Sequence, residues 1–169
     1  IQSPFAWNDF LFVTSGAGGD DNRPIVAVRA GGSGDITPPG AETSNEHVVW
    51  YDRRAGGTYL PTPVIYRNGL YVLNDKGIFS RHNAETGERI YQSRVAPGAS
   101  TFTASPWAYN GHVFVMSEEG DTFVIEAADQ YRLVRVNSLG DFSMATPAIV
   151  GDRLLIRTQH RLYSIRNRK

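Results

Sequence analysis

Acidic and amide side chains recur at one kind of place along this chain of 169 residues. Asp20-Asp21-Asn22, Asp75-Lys76, Glu118-Glu119 with Asp121, and Gln159-His160 each lie between two short β-rich runs. Gathered on one face, such oxygen donors would hold a hard cation or a polar ligand, and calcium suits them better than zinc. Asp20, Asp21 and Asn22, in the loop Gly16-Ala17-Gly18-Gly19-Asp20-Asp21-Asn22, are the candidate metal ligands, though they lack the alternating Asp/Asn spacing of a calcium loop. Asp75, Lys76, Glu118, Glu119, Asp121 and His160 are the candidate ligand face. Tight turns favour Asp, Asn and Gly whatever the function, so turn chemistry alone also accounts for the pattern.

Other chemistries find less support. The chain has no cysteine, which removes disulfides, thiolate metal sites and cysteine nucleophiles. Its four histidines (His47, His82, His112, His160) show no metal-ligand spacing, and His82 and His112 are expected on strand or turn surfaces. No Gly-x-Ser-x-Gly elbow is present, and no catalytic residue is assigned. Gly31-Gly32-Ser33-Gly34 lacks the Gly-Lys-Ser/Thr ending of a phosphate loop and reads as a flexible insertion. Trp7 and Trp107 follow strand-opening prolines; they are either a stacking platform for a sugar or a quinone, or core filling. Formal net charge is zero, which favours neither nucleic acid nor an anionic membrane, and no apolar run reaches the ~20 residues of a membrane span. The basic tail from Arg161 to Lys169 reads as a solvated terminus.

The elements that would position these residues come from a repeated phrase. Ser3-Pro4, Thr62-Pro63, Ser105-Pro106 and Thr146-Pro147 each precede a short apolar run, a turn and further runs rich in Val, Ile, Tyr and Phe. The last three prolines are 43 and 41 residues apart, and a period of about 42 in an all-β chain points to propeller blades. The second repeat divides into strands at 63–66, 70–73, 78–82 and 89–93. Proline opens the first, where no ladder N–H is needed, and Arg67-Asn68-Gly69 supplies a hairpin turn. The third gives 106–109, 113–116, 122–125 and 132–136, with Glu126–Gln130 as a turn. The first gives 4–7, 10–14, 25–29 and 47–51, with a Gly/Pro/Ser/Thr-rich surface insertion at 30–46. The last gives only 147–150, 153–158 and 161–165.

The expectation is an all-β β-propeller of four-stranded antiparallel blades, near 3–54, 61–96, 104–138 and 145–167, within a single domain over 1–169. The last blade lacks an outer strand, so fifteen strands make an incomplete ring, part of a seven- or eight-bladed propeller; a self-closed four-bladed ring is the alternative. The open edge of that blade invites a protein partner or a second propeller half, including a homodimer.

With the blades laid out, the chain resembles the C-terminal portion of the pyrroloquinoline-quinone-type (PQQ-like) β-propeller repeat family. The matching residues are Thr62-Pro63, Gly69-Leu70-Tyr71-Val72, Asp75-Lys76-Gly77 and Asn83-Ala84-Glu85-Thr86-Gly87 followed by Tyr91. The family's blade-ending tryptophan is kept as Trp50, replaced by Tyr91 in the second blade, and the Thr-Gly turn is replaced by Asp129-Gln130 in the third. The resemblance implies an extracytoplasmic location. It also implies either a non-catalytic scaffold without cofactor or, as the alternative, a fragment of a dehydrogenase using PQQ and calcium. The family's vicinal cysteine pair is missing and no catalytic aspartate aligns.

Overall fold

A computed structural model describes residues 2–16, 22–99 and 101–166. Four antiparallel sheets follow one another along the chain. Blade one holds β1 (Phe5–Trp7), β2 (Phe10–Thr14), β3 (Ile25–Arg29) and β4 (Val48–Asp52). Blade two holds β5 (Val64–Tyr66), β6 (Gly69–Leu73), β7 (Ile78–Asn83) and β8 (Arg89–Arg94). Blade three holds β9 (Trp107–Tyr109), β10 (His112–Met116), β11 (Asp121–Glu126) and β12 (Leu133–Ser138). Blade four holds β13 (Ala148–Val150), β14 (Arg153–Arg157) and β15 (Leu162–Ile165). Strands pair in chain order within each sheet, and all fifteen lie where the turn residues and apolar runs place them, to within one or two residues.

Side-chain alternation along each strand commits both faces of a blade. Phe5, Trp7, Phe12 and Trp50 of blade one meet Ile65, Leu70 and Ala84 of blade two. Val64, Tyr66 and Tyr71 of blade two meet Ala108 and Val113 of blade three. Trp107 and Phe114 of blade three meet Leu154 and Ile156 of blade four. Trp7 and Trp107 are thus junction packing; Trp107 stacks on Phe114 with centroids 5.4 Å apart and planes 11° from parallel.

The repeated Ser/Thr-Pro phrase has a structural reason. The Ser3 N–H donates to Thr62 Oγ1 (3.0 Å), the Thr62 N–H to Ser105 Oγ (2.9 Å) and the Ser105 N–H to Thr146 Oγ1 (2.9 Å). Each hydroxyl therefore accepts from the equivalent backbone of the blade before it. The proline that follows has no N–H to satisfy and starts the inner strand at a fixed φ.

The third and fourth strands of blades one, two and three shift register at one equivalent place: between Ala27 and Val28, Arg81 and His82, and Val124 and Ile125. Such bulges add twist, and these displace the outer strand identically three times. The first turn of blade two is one residue shorter than expected. Tyr66 pairs with Gly69, so Arg67 and Asn68 (φ 50° and 60°) form the turn and Gly69 begins β6. Gly69 is there for space: a Cβ would lie 2.8 Å from both the Tyr71 ring and Arg81 Nε. The insertion before β4 is strandless and largely exposed, yet Ile36 and Pro38 fold back over Val26, Val28 and Tyr51 to enclose about 280 Å³. Asn45 pins it, donating to Ile36 O (2.9 Å) and accepting from the Val48 N–H (2.7 Å).

Candidate functional site

The turns between second and third strands share a face with the segments that lead into the inner strands. The Gly57 N–H donates to Arg23 O (2.8 Å), the Phe102 N–H to Asp75 O (3.1 Å) and the Ser143 N–H to Glu118 O (2.9 Å). Each lead-in segment so clips the preceding blade's turn.

The rim side chains are held singly. Asp75 forms an ion pair with Arg23 of blade one at 3.1 Å, a contact between blades. Glu118 accepts from the Thr103 hydroxyl at 2.5 Å. Lys76 is exposed, with its N–H on Asn74 Oδ1 (3.0 Å) and its carbonyl on Arg94 (2.8 Å). Glu119 is exposed, and Asp121 opens β11 opposite Ser138. Asp20 and Asp21 lie outside the described residues; Asn22 is exposed. Among the described residues no three His, Asp or Glu side chains come together to hold a metal ion.

His160 does have a partner, one that spacing did not suggest. Asp141, in the lead-in to blade four, places Oδ1 2.8 Å from His160 Nδ1 and accepts the His160 N–H at Oδ2 (3.3 Å). The buried Thr158 hydroxyl donates to the same Oδ2 at 2.6 Å. These bonds, that of Thr158 first, hold the Asp141 carboxyl down at about 2. The threonine hydroxyl faces the carboxylate rather than the imidazole, so the trio has no activated nucleophile; it fastens the last turn to its lead-in. The signal was Gly140-Asp141 ahead of Thr146-Pro147, at the place where the other lead-ins meet turns.

His82 corrects an expectation. It is fully buried, not a surface residue, with Nε2 3.0 Å from Ser80 Oγ and Nδ1 3.3 Å from Gly87 O. The carbonyl requires the proton on Nδ1, so Nε2 accepts from the serine hydroxyl. Burial pushes its pKa down and keeps it neutral. Both side chains are buried, and the pair supports the Thr86-Gly87 turn.

That turn receives Trp50. The indole N–H donates to Ala84 O at 3.0 Å, and a Cβ on Gly87 (φ 77°) would lie 2.6 Å from the ring. At the next junction Tyr91 replaces the tryptophan and Asp129-Gln130-Tyr131 replaces the Thr-Gly turn. Tyr91 and Tyr131 pack edge to face at 6.0 Å, the Tyr131 hydroxyl donates to Val95 O, and Asp129 pairs with Arg81 at 2.5 Å. Two departures that look separate in the sequence are the two halves of one contact. Burial raises the Tyr91 hydroxyl pKa, and no hydrogen-bond partner reaches that oxygen.

No family model and no curated protein matches this chain. Among solved structures it is similar to BamB from Moraxella catarrhalis, with a TM-score of 0.65 and 14% identity over 94% of this chain and 43% of that one. The fold is a β-propeller. The quinohemoprotein alcohol dehydrogenase ADHIIG from Pseudomonas putida HK5 (TM-score 0.60, 14% identity, 90% of this chain and 27% of that one) shares it. So does a europium-containing methanol dehydrogenase (TM-score 0.55, 13% identity, 79% and 23%). The chain spans less than half the length of each of these three structures. No helix among the described residues is long and apolar enough to cross a membrane.

Proposed function

We propose that this chain is a non-catalytic scaffold module of a PQQ-like propeller, working outside the cytoplasm within a ring of seven or eight blades. The observation that carries this reading is the state of blade four. Its strand β15 pairs on one side only among the described residues, with Leu162 69% and Ile165 45% exposed. An apolar strand edge of this kind recruits protein. The rim supports the same reading, because Asp75, Glu118 and His160 are each held by a neighbouring turn or lead-in rather than turned toward a common point.

The likeness to two alcohol-oxidising enzymes motivates the second reading, a fragment of a dehydrogenase using PQQ and calcium. The described residues do not fit that group. Calcium takes six to eight oxygens, and the rim carboxylates are dispersed on Arg23, Thr103 and His160. Titration with PQQ plus calcium, followed by calorimetry, separates the two. Scaffolding expects no saturable heat; tight stoichiometric uptake would establish the enzyme reading instead.

A further inference from the structure

Two buried side chains set blade two apart from the other blades. His82 pairs with Leu70 as Val28 pairs with Leu11, Ile125 with Val113 and Ile165 with Leu154. Ser80 pairs with Val72 as Val26 pairs with Val13, Phe123 with Val115 and Tyr163 with Ile156. Three blades thus build these two positions from aliphatic or aromatic residues, and blade two builds them from a hydroxyl and an imidazole. His82 is fully buried and Ser80 is 4% exposed. Valine or isoleucine would fill the same places without desolvating a polar group, so the fold alone does not call for this pair.

The pair stands beneath the turn that closes the junction of blades one and two. His82 Nδ1 donates to Gly87 O at 3.3 Å, and Nε2 accepts from the Ser80 hydroxyl at 3.0 Å. The turn's own amides are bonded as well: Asn83 N–H to Glu88 O (2.8 Å), Gly87 N–H to Asn83 O (2.9 Å) and Ala84 N–H to Asn68 O (3.0 Å). Ala84 O receives the Trp50 indole N–H, and Gly87 lies against the indole ring. This arrangement is complete only for a neutral imidazole. A second ring proton would sit on Nε2 and face the hydroxyl that now donates to it, and Ser80 Oγ has no other partner among the described residues. The closed turn would then cover an unsolvated cation.

The surrounding elements supply no counter-ion. Among β1, β2, β5 and β6 the only titratable groups are Tyr66 and Tyr71, which pack toward blade three. On β3, Arg29 lies over the Phe10 ring, and on β7, Arg81 is engaged with Asp129. On β4, Asp52 favours a proton on His82; on β8, Arg89 opposes it. Glu85 and Glu88 of the turn and Arg54 across from it are exposed, and Arg53 is held over Tyr51. Burial prevails over these charges and holds the closed ring's pKa below the ordinary histidine value. A lifted turn would hydrate the ring and return it to about 6.5.

We propose that Ser80 and His82 form an acid-operated latch: with the imidazole neutral they hold the Asn83–Glu88 turn closed over Trp50, and when the imidazole takes a proton the turn lifts. The turn forms one side of a cleft of about 450 Å³ whose other side carries Trp50, Tyr51, Arg53 and Arg54. Acid thereby converts a closed junction into an aromatic and cationic surface, on either reading of the whole protein's function. The sign follows from proton count. The open form binds one proton more, so its share is lowest above about pH 6.5 and rises as pH falls. The rise between pH 7 and pH 5 reaches about 25-fold for a ring that titrates only when open.

Hydrogen exchange of the full chain between pH 7 and pH 5, with each rate divided by the intrinsic rate at that pH, tests the latch. Protection of the Asn83, Ala84 and Gly87 amides and of the Trp50 indole N–H should fall together by about fivefold or more, while that of β10 and β11 stays within about twofold. His82→Gln keeps a donor for Gly87 O and cannot titrate, so its protection should be flat across the range. Ser80→Val with His82→Val, which copies blade one, should be flat as well. Protection of the turn that ignores pH in the parent overturns the proposal. So does an equal fall in β10 and β11, which is general acid destabilisation, or the same fall in His82→Gln. Ring nitrogen NMR of the parent decides the matter even where neither variant folds: a His82 ring that gains its proton while the turn amides stay protected overturns the latch.

Discussion

Trp50 shows what a single side chain does at a blade junction. Its ring closes the core between blades one and two, and its N–H satisfies a carbonyl that no strand can reach. Trp50→Phe keeps the ring and strands the Ala84 carbonyl. The expected loss is about 1–2 kcal/mol, the cost of an unmade buried hydrogen bond, read as a lower urea midpoint at unchanged slope. Asp141 makes a different prediction, in pH. Its folded pKa of about 2 lies below the model-compound value of 3.8, so its contribution is fully present above about pH 4. That contribution disappears as pH falls from 4 through 2. Asp141→Asn should therefore be less stable than the parent at pH 6, with the gap in urea midpoint closing toward pH 2. A constant gap across that range would place the loss elsewhere than in the carboxylate.

At the scale of the element, the relay of hydroxyls decides how blades are spaced. Ser105→Ala leaves the Thr62 N–H without its acceptor and should cost roughly 0.5–1.5 kcal/mol. Ser105→Thr should restore most of that, because threonine already serves at positions 62 and 146. Failure of threonine to rescue would show that the site measures volume rather than the bond. Strands and turns were legible in the sequence because their signals are local: alternation of period two, proline at strand starts, Asn-Gly at turns. The blade-spacing role of Ser and Thr was visible only as a repeated phrase, since its bonds join residues 41 to 59 apart. His82 misled for a related reason. Its strand alternates normally, and only the Thr86-Gly87 turn folding over it takes it out of water. Asp141 escaped notice because its carboxylate acts on a turn that follows in sequence, beyond the inner strand it precedes.

Across the whole molecule, stability is graded along the array of blades. The largest cluster of buried side chains joins blades two and three and includes Tyr71, Phe79, Val113, Val115 and Ile125. In the strands of blade four, Ile156 alone among the described apolar residues is buried, while Ile149, Val150, Leu162 and Ile165 are exposed. A stack of units that touch only their neighbours is stabilised by each interface separately, so an end with one thin interface opens first. Native-state hydrogen exchange in rising urea should thus find two classes of amide. Those of β6, β10 and β11 should exchange through global unfolding, with a steep dependence on urea. Those of β13, β14 and β15 should exchange through local opening, at a free energy lower by a few kcal/mol and with a shallow dependence. Ile156→Ala should widen the separation, since it removes the buried side chain at the centre of the apolar contact that holds blade four to Met116 and Trp107. A single class with one slope would mean that the blades unfold as one unit and that the exposed flank of blade four is not the weak end.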